Sequence, residues 1–285
     1  MRLSPEAFDA IRKAVHELCG IVIAEEKHYL VVSRLEPVLT RLGLPSYEAF
    51  VQALGRPDAT PLRELLIEAI TTRETSFNRD GHPFEELRRS ILPELSRRLL
   101  ARRAAPAPSL PRCRIWCAAA ATGQEAYSVA MAISDFLASR PGIGLTLGDF
   151  PILATDICQG ALAIARAGRY SAEEVRRGVS EDQRARYFSP DRDGWFVAEP
   201  LRRAVEFRRL NLVLPLPNLG TFDLILCRNL LIYLDDVARR RLCLGLHQAL
   251  NPSGLLIIGA AESLYGVTDA FATERFGSTI AHRKT

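Results

Sequence analysis

The stretch Arg114-Ile-Trp-Cys-Ala-Ala-Ala-Ala-Thr-Gly123 decides the fold class of this chain. Its apolar first half, up to Ala118, predicts a buried strand, and a turn is expected at Thr122-Gly123. A helix is then predicted from about Glu125 to Ala138. A strand, a tight turn and a helix in this order form the repeating unit of a parallel sheet with helical crossovers.

The same order of elements recurs further along the chain. Pro151-Ile-Leu-Ala-Thr155 predicts a second strand, with a helix near residues 160–167 after it. Phe222-Asp-Leu-Ile-Leu-Cys227 is nearly all apolar, as expected for a strand that is buried on both faces. A helix from about Val237 to Leu250 and a strand at Leu255-Leu-Ile-Ile258 follow. This alternation predicts a doubly wound α/β sheet with right-handed crossovers.

Shorter strands are expected late in the chain. Thr279 to His282 predicts a last strand of the sheet. Trp195-Phe-Val197 and Val205-Glu-Phe207 predict two short strands among helices. We therefore expect a small inserted β-subdomain at about residues 189–209.

The part of the chain before residue 112 predicts helices. Apolar residues recur at helical spacing through residues 1–72, with Gly20 as a stop signal, which predicts an N-terminal helical domain. Residues 73–111 are predicted to be a linker with one helix over 82–103. The helix cannot continue through Ala104 to Pro111, because this span contains three prolines. Residues 112–285 then form the sheet domain.

Length and composition limit the class of protein. A chain of 285 residues predicts two domains, and its composition is that of an ordinary globular protein. It contains no apolar run of about 18 residues and opens on an amphipathic pattern instead of a secretory signal, so we expect a cytoplasmic protein without stable membrane insertion. The six cysteines form no CxxC pair and the five histidines form no HExxH motif, so no bound metal is expected.

The net charge is only +4, but arginines are concentrated in two places. Such patches bind nucleic acid, a membrane surface or an acidic protein, or they form a solvated helix face. The two clusters are Arg88, Arg89, Arg97, Arg98, Arg102 and Arg103, and Arg202, Arg203, Arg208 and Arg209.

Three features fall where the strands of such a sheet end, which is where ligands bind in this fold class. The first is the small-residue turn after the first strand, where only Gly123 is a glycine, so a phosphate cradle is not favoured. The second is Asp156, placed to accept two hydrogen bonds from a ribose diol or to cap a helix. The third is Asp223 with the run Cys227-Arg-Asn-Leu-Leu-Ile-Tyr233, which faces the ligand or forms a structural ion pair. Together they favour S-adenosylmethionine over NAD or ATP.

At this point the sequence is recognisable, because it resembles the CheR family of chemotaxis receptor methyltransferases over essentially its whole length. The matching segments are long, and they occur in the order and spacing of the family. They are Thr71-Thr-Arg-Glu-Thr-Ser-Phe-Asn-Arg79, Trp116-Cys-Ala-Ala-Ala-Ala-Thr-Gly-Gln-Glu-Ala-Tyr-Ser128, Ala154-Thr-Asp-Ile157, Ala165-Arg-Ala-Gly-Arg-Tyr170, Phe222-Asp-Leu-Ile-Leu-Cys-Arg-Asn-Leu-Leu-Ile-Tyr233 and Ala261-Glu-Ser-Leu264.

The resemblance implies a Rossmann-like, S-adenosylmethionine-dependent methyltransferase with an N-terminal all-helical domain and an inserted β-subdomain. The implied reaction is O-methylation of glutamate side chains on the cytoplasmic helices of methyl-accepting chemotaxis-type receptors, and we expect a monomer. Arg79 and Tyr233 are expected at the reacting groups, and Arg34 at the receptor. The resemblance places the cofactor against Arg73, Thr75, Arg79, Glu125 (methionine ammonium), Asp156 (ribose), Asn211 and Leu212 (adenine), Cys227 and Arg228.

Some residues depart from the family pattern. Arg73 stands where the family usually has Asn, Asn78 where it has Phe, and Gln124 where it has the first Glu of a Glu-Glu pair. Cys158 replaces the second Asp of Asp-Ile-Asp, and Ala261 replaces a His. Arg73 and the missing glutamate at position 124 leave open an alternative, a catalytically weakened S-adenosylmethionine-binding module that regulates a chemosensory system. A nucleic-acid methyltransferase is not expected, because the chain has no Asn/Asp-Pro-Pro-Tyr/Phe motif.

The chain has no obvious Ser/His/Asp or Cys/His set, and the implied reaction does not require one. A glutamate carboxylate, with an ordinary pKa of about 4.3, is already ionised and can attack a sulfonium methyl group without a general base. What remains for the protein is positioning. Arg79 is predicted to orient the incoming glutamate through its planar fork. The β-subdomain is short, so we expect no docking of a receptor-tail peptide.

Overall fold

The computed structural model describes residues 1–105 and 112–285. The predicted linker runs to Pro111, and its residues 106–111 lie outside the described residues. Within the described ranges, none of the helices combines the length and the apolar character that crossing a bilayer requires. All six cysteines are buried and none is in a disulfide, as small apolar residues would be.

Four helices pack around one hydrophobic cluster at the N-terminal end. They are α1 (Pro5–Cys19), α2 (His28–Leu42), α3 (Tyr47–Leu54) and α4 (Thr60–Ile70). The predicted stop at Gly20 is confirmed, with a φ of 68° that suits a residue without a Cβ. Pro37 lies inside the continuous helix α2, although a proline within a helix commonly kinks it.

A long helical segment connects this domain to the sheet. It consists of α5 (His82–Glu86), a π-helical turn at Leu87–Ile91 and α6 (Leu92–Ala104). The prediction of a helix over 82–103 is therefore confirmed in extent, with a π turn inside it that periodicity did not indicate. The linker and helix boundaries at 72 and 111 stay a prediction.

The main sheet has seven strands in the order β6-β2-β1-β7-β8-β10-β9. The first five in this order are parallel neighbours, and β10 is antiparallel to both β8 and β9. Its strands are β1 (Ile115–Ala118), β2 (Ile152–Asp156), β6 (Val205–Arg209), β7 (Phe222–Cys227), β8 (Leu250–Ile258), β9 (Phe271–Phe276) and β10 (Thr279–Lys284). The predicted Rossmann-like α/β class is confirmed.

Helices cover both faces of this sheet, so β7 is buried along its whole length, as predicted. The later helices are α7 (Gln124–Ala138), α8 (Gln159–Ala167), α9 (Ala172–Arg176), α10 (Glu181–Tyr187), α11 (Glu199–Ala204) and α12 (Asp236–Ala249). Trp116 on β1 is fully buried and donates a hydrogen bond to Thr155 Oγ1 at 2.9 Å. It belongs to the core, as its place on a buried strand suggested.

The inserted β-subdomain exists, but its predicted range was partly wrong. Its sheet has the order β3-β5-β4, from strands β3 (Arg169–Ser171), β4 (Phe188–Asp191) and β5 (Gly194–Val197). Val205-Glu-Phe207 instead begins β6, which pairs in parallel with β2 at the edge of the main sheet. Short strands of similar composition do not reveal their pairing partners in the sequence.

Most of the arginines in the first basic cluster are engaged in contacts within the chain. Arg102 pairs with Asp223 at 2.6 Å, and Arg103 pairs with Asp149. Arg98 donates to the carbonyl oxygens of Pro252 and Ser253, both at 2.8 Å. In the second cluster, Arg203, Arg208 and Arg209 pair with glutamates. Neither cluster is therefore a free basic surface.

Asp223 does not line the ligand cleft, although the sequence pattern groups it with the residues at the ligand-binding end of the third strand. It lies near the start of β7, where its side chain is 1% exposed. It accepts hydrogen bonds from Arg102, from the backbone N–H of Arg114 at 2.9 Å and from Asn251 at 3.1 Å. Of the two alternatives for Asp223, the structure therefore shows the structural ion pair, with Arg102 as the partner.

Candidate active site

A cleft with an empty volume of about 1270 Å³, including the solvent at its mouth, lies at the carboxyl ends of β1, β2 and β7. The helical domain forms one wall and the sheet domain the other. The cleft brings together nearly all of the predicted site residues. These are Arg34, Arg73, Thr75, Arg79, Glu125, Asp156, Asn211, Leu212, Arg228 and Tyr233.

The turn after β1 gives the cleft its floor. Ala119 and Ala121 have φ angles of 61° and 48°, a conformation that costs energy for any residue with a Cβ. Gly123 has a φ of 93°, and a Cβ there would lie 2.8 Å from the Cβ of Ala165. The backbone therefore requires a glycine at position 123, both for its φ angle and for its close approach to Ala165.

Asp156 ends β2 and holds this turn. Its Oδ2 accepts a hydrogen bond from the backbone N–H of Ala121 at 2.8 Å, and its Oδ1 accepts one from Cys158 at 2.8 Å. Burial raises the pKa of the Asp156 carboxyl, although these hydrogen bonds and the charge of Arg73 act to lower it. Each oxygen keeps a further lone pair for a ligand.

Arg228 is the buried centre of the site, with a side chain that is 1% exposed. Its guanidinium contacts Glu125 Oε2 at 2.9 Å, Asp80 Oδ2 at 2.7 Å and the carbonyl oxygen of Arg79 at 2.9 Å. Burial raises the pKa of Glu125, and the charge and hydrogen bond of Arg228 oppose this rise. Arg228 therefore joins the first turn of α7 to the segment that carries Arg79.

That segment, residues 71–81, crosses from the helical domain to α5. Asn78, Asp80 and Gly81 have positive φ angles of 46°, 70° and 66°. The backbone N–H of Asn78 donates to Ser128 Oγ at 2.9 Å, and its side chain donates to the carbonyl oxygen of Gly178 at 2.8 Å. The side chain of Asn78 thus fastens the segment from behind, away from the cleft.

The side chain of Arg79 makes few contacts with the described residues. Its guanidinium donates to the carbonyl oxygen of Glu74 at 3.1 Å, the only hydrogen bond it makes to the described residues. Most of its five N–H donors therefore have no partner among the described residues, and the side chain lines the cleft. Such a fork is free to receive an anionic group.

Gln124 and Arg73, the two departures from the family pattern that left a weakened enzyme open, differ in their position relative to the cleft. Gln124 does not line the cleft: it is 2% exposed, accepts from Thr122 Oγ1 at 2.8 Å and donates to Glu174 at 3.3 Å. A second carboxylate at position 124 would face Glu174. Arg73 lines the cleft as an exposed side chain, with no hydrogen bond or ion pair to residues 1–105 or 112–285.

The far wall carries Asn211, Leu212 and Tyr233. The side chain of Asn211 donates to the carbonyl oxygen of Leu18 at 2.8 Å and accepts from the backbone N–H of Val213 at 3.2 Å. Tyr233 is half-buried, and its carbonyl oxygen accepts from the backbone N–H of Val22 at 2.9 Å. These contacts fasten the sheet side of the cleft to the helical domain.

Arg34 on α2 lines the cleft, where its guanidinium donates to the carbonyl oxygen of Ile70 and, at 3.2 Å, to Thr72 Oγ1. It thereby holds the start of the 71–81 segment. Its predicted contact with a receptor stays a prediction.

The structure does not bring Cys227 to the cleft, where the resemblance placed it. This residue ends β7 fully buried, and burial raises the pKa of its thiol well above the ordinary range. Because every residue of β7 is buried, the sequence pattern could not tell which side chains point toward the ligand.

Sequence reasoning missed the role of Glu262. Its Oε2 accepts from the backbone N–H groups of Asn229 at 2.8 Å and Gly259 at 2.6 Å. Asn229 lines the cleft with a φ of 57°, so Glu262 holds a strained turn directly after Arg228. The only signal in the sequence was its place in the matching segment Ala261-Glu-Ser-Leu264.

The residues of the cleft fit S-adenosylmethionine. Within the described part of the chain, Glu125 Oε1 has no hydrogen-bond partner, so it can accept from a cationic amine. Asp156 offers two oxygens to a diol, and Leu212 and Ile157 offer an apolar surface to a flat ring. No run of backbone N–H groups that would cradle a diphosphate is evident around the turn, where the N–H groups of Ala120, Ala121 and Gly123 are already bonded.

Fold and cleft together define an S-adenosylmethionine-dependent methyltransferase, and comparison with known proteins agrees. The model of the CheR methyltransferase, SAM binding domain, matches residues 73–279, and that of the CheR methyltransferase, all-alpha domain, matches residues 6–71. The chain belongs to the CheR methyltransferase family, and its cofactor is S-adenosylmethionine.

Similar full-length proteins carry consistent names. Chemotaxis protein methyltransferase 1 of Pseudomonas aeruginosa is 37% identical over 97% of this chain and 97% of its own length. Chemotaxis protein methyltransferase Cher2 of Pseudomonas putida is 36% identical over 93% and 92%. A solved TehB-like SAM-dependent methyltransferase from Corynebacterium glutamicum covers 67% of this chain and 88% of that one, at 15% identity and a TM-score of 0.36. The regulatory module without efficient turnover is not favoured.

Proposed function

We propose that this chain transfers the methyl group of S-adenosylmethionine to glutamate side chains of methyl-accepting chemotaxis-type receptors. The products are glutamate methyl esters and S-adenosylhomocysteine. The observation that carries the proposal is the place of Arg79, whose largely free guanidinium shares one cleft with Glu125 and Asp156. A carboxylate substrate and a cationic donor would meet there.

Each wall of the cleft has a proposed task toward the cofactor. Glu125 Oε1 would accept from its ammonium group, and Asp156 would accept from the ribose hydroxyls. Asn211 and Leu212 would flank the adenine. Thr75, Arg73 and Arg228 would complete the surroundings, with Arg228 acting through Glu125 because its own side chain is buried.

The bound cofactor supplies an electrophilic methyl group on a sulfonium sulfur. A glutamate carboxylate oxygen would form the new C–O bond as the S–C bond of the methyl donor breaks, and no proton would move. Arg79 would orient that carboxylate in line, and half-buried Tyr233 would help to keep water from the reacting groups. The negative charge of the carboxylate and the positive charge of the sulfonium would be lost in the same step. The main contribution of the protein would therefore be to position the two groups.

The proposed substrate segment is a helix of the cytoplasmic part of a receptor, which a monomer in the cytoplasm would reach. Lys27, Arg73 and Arg79 give the cleft a basic lining that suits an acidic partner. A receptor tail is not expected to dock on the β-subdomain, since Pro190 in the edge strand β4 lacks an N–H donor for an added strand and the other edge strand, β3, has only three residues. Nucleic acid is not expected, because most of the arginines in both clusters are engaged in contacts within the chain.

The reaction can be tested with methyl-labelled S-adenosylmethionine and membranes from the native cell. We expect a base-labile label on a protein of receptor size, because carboxyl methyl esters hydrolyse in alkali. Membranes from a receptor-deficient strain serve as the control. Label that resists base, or that appears on nucleic acid, would contradict the proposal.

Replacing Asp156 by Ala should weaken binding of S-adenosylhomocysteine by more than about tenfold, since two charge-assisted hydrogen bonds to the ribose are lost. Titration calorimetry measures this change. Burial raises the pKa of this carboxyl, so wild-type affinity should fall as the pH drops through that raised pKa and the acceptor becomes protonated. Unchanged affinity in the variant would remove Asp156 from the ribose site.

A further inference from the structure

The carboxylate of Asp156 depends on the segment that follows it. Asp156 leaves β2, and its Oδ1 is bonded to the backbone N–H of Cys158, the residue before α8. The next residue, Gln159, begins that helix. A shift of the start of α8 would therefore shift the hydrogen bond that orients Asp156.

The sequence itself gives α8 only a weak cap. Cys158 stands at the N-cap position, and its Sγ accepts from the backbone N–H of Ala161 at 3.4 Å. A thiol sulfur is a weak acceptor, and Ser, Thr, Asp and Asn are the residues that cap helices well. The first N–H groups of α8 therefore require another acceptor.

The helical domain supplies it. Glu68 on α4 places Oε1 at 2.8 Å from the backbone N–H of Gly160, in the first turn of α8. A carboxylate at this end of a helix also interacts favourably with the helix dipole. A Cβ at Gly160 would lie only 3.2 Å from this oxygen, so the glycine permits the close approach.

Two further contacts hold the same segment from the same side. The side chain of Ile157 packs against the hydrophobic cluster of the helical domain. Arg209 donates to the carbonyl oxygen of Ile157 at 3.2 Å and pairs with Glu64 of α4 at 2.6 Å. Glu64 and Glu68 are one helical turn apart, so a single face of α4 contacts this segment.

We propose that Glu68 is a positioning residue for cofactor binding: it caps α8 across the domain boundary and so holds Asp156 where the ribose is bound. Glu68 does not line the cleft, so its effect passes through the segment from Asp156 to Gly160. The helical domain would thus contribute to cofactor affinity with a residue that never touches the ligand. This inference rests on the ribose-binding role proposed for Asp156.

The test measures affinity for S-adenosylhomocysteine by titration calorimetry. Glu68→Ala should weaken binding about fivefold, the equivalent of one lost helix cap. Cys158→Asp in that background should restore affinity to within about twofold, because a local carboxylate caps the same helix. In the chain with Glu68 intact, Cys158→Asp should give no gain, since two carboxylates would then crowd one helix end. Cys158→Ser offers a neutral cap if the buried aspartate impairs folding.

Glu17→Ala is the control. It removes the same charge from the helical domain but breaks only an exposed ion pair with Lys13 within α1, so affinity should change less than about twofold. A second measurement needs no ligand: amide hydrogen exchange across residues 157–163 should accelerate in Glu68→Ala, slow again with Cys158→Asp or Cys158→Ser, and stay unchanged in Glu17→Ala.

Folded Glu68→Ala protein with wild-type affinity and exchange would overturn the proposal. So would a loss of affinity that neither cap at position 158 repairs. If Asp156→Ala also binds the ligand normally, the ribose assignment itself fails, and with it the link from Glu68 to affinity. Failure of the glutamate methylation assay alone, with these binding results as expected, would count against the proposed substrate and not against Glu68.

Discussion

Replacing Arg228 by Met is expected to lower the free energy of unfolding by about 3–5 kcal/mol, because the change leaves the buried charge of Glu125 uncompensated. The guanidinium is 1% exposed and is the partner of both Glu125 and Asp80. Methionine matches the length of the aliphatic stem but offers neither charge nor donors. Chemical denaturation of the ligand-free chain measures the difference.

The pH dependence of this loss identifies its cause. Burial already raises the pKa of Glu125, and removing Arg228 takes away the charge that opposes the rise. A carboxyl with a raised folded-state pKa binds its proton more tightly in the folded chain, so stability falls as the pH rises through that pKa. The loss in free energy of unfolding of Arg228→Met, relative to the wild type, should therefore be smaller at about pH 5 than at about pH 8.

Two variants control this experiment. Arg208→Met removes an arginine whose pair with Glu206 has both side chains about half-exposed, and it should cost less than about 1 kcal/mol. Arg228→Met combined with Glu125→Gln should recover part of the loss and most of the pH dependence. Arg228→Met that is no less stable than Arg208→Met would show that the buried cluster contributes nothing.

Arg79→Ala is expected to abolish methyl transfer, with a loss in kcat of more than about a hundredfold, while binding of S-adenosylhomocysteine changes less than about threefold. The reason is that the free fork of Arg79 is proposed to orient the acceptor and not the cofactor. Stability should change by less than about 0.5 kcal/mol, since the side chain makes one hydrogen bond to the described residues. Single-turnover transfer to receptor fragments measures the rate.

Arg79→Lys keeps the charge without the planar fork and should fall between the wild type and Arg79→Ala. Arg177→Ala is the matched control: it removes an exposed arginine that pairs with Glu74 on the same segment, at 2.8 Å, and should leave turnover near normal. Near-normal turnover in Arg79→Ala would refute the orienting role.

What the sequence could predict of the site depended on local patterns. The strand, small-residue turn and helix around Gly123 are encoded in consecutive residues, and a carboxylate at the end of a strand placed Asp156 at the correct edge of the sheet. Asp223 could have been excluded in the same way, because strands rise about 3.3 Å per residue and it stands near the start of β7. Its grouping with the cleft was an avoidable error.

Other features lay beyond the sequence because they arise from contacts between distant segments. Nothing in the sequence around Asp80 and Glu262 shows that the fold places them against Arg228 and Asn229. The strand at Val205 was assigned to the wrong sheet, since its pairing with β2 is not encoded in its own residues. Gln124 looked like a lost ligand contact because nothing local reveals that its side chain points away from the cleft.

The segment from residue 71 to residue 81 also has a consequence for engineering. Arg34 of the helical domain donates hydrogen bonds at its beginning, and Arg228 of the sheet domain donates hydrogen bonds at its end. A chimaera that exchanges helical domains between relatives at residue 72 would keep Arg34 with Ile70 and Thr72 from one parent, and Arg228 with Arg79 and Asp80 from the other. A crossover placed after Gly81 would instead separate Arg79 and Asp80 from Arg228, unless position 228 came from the same parent.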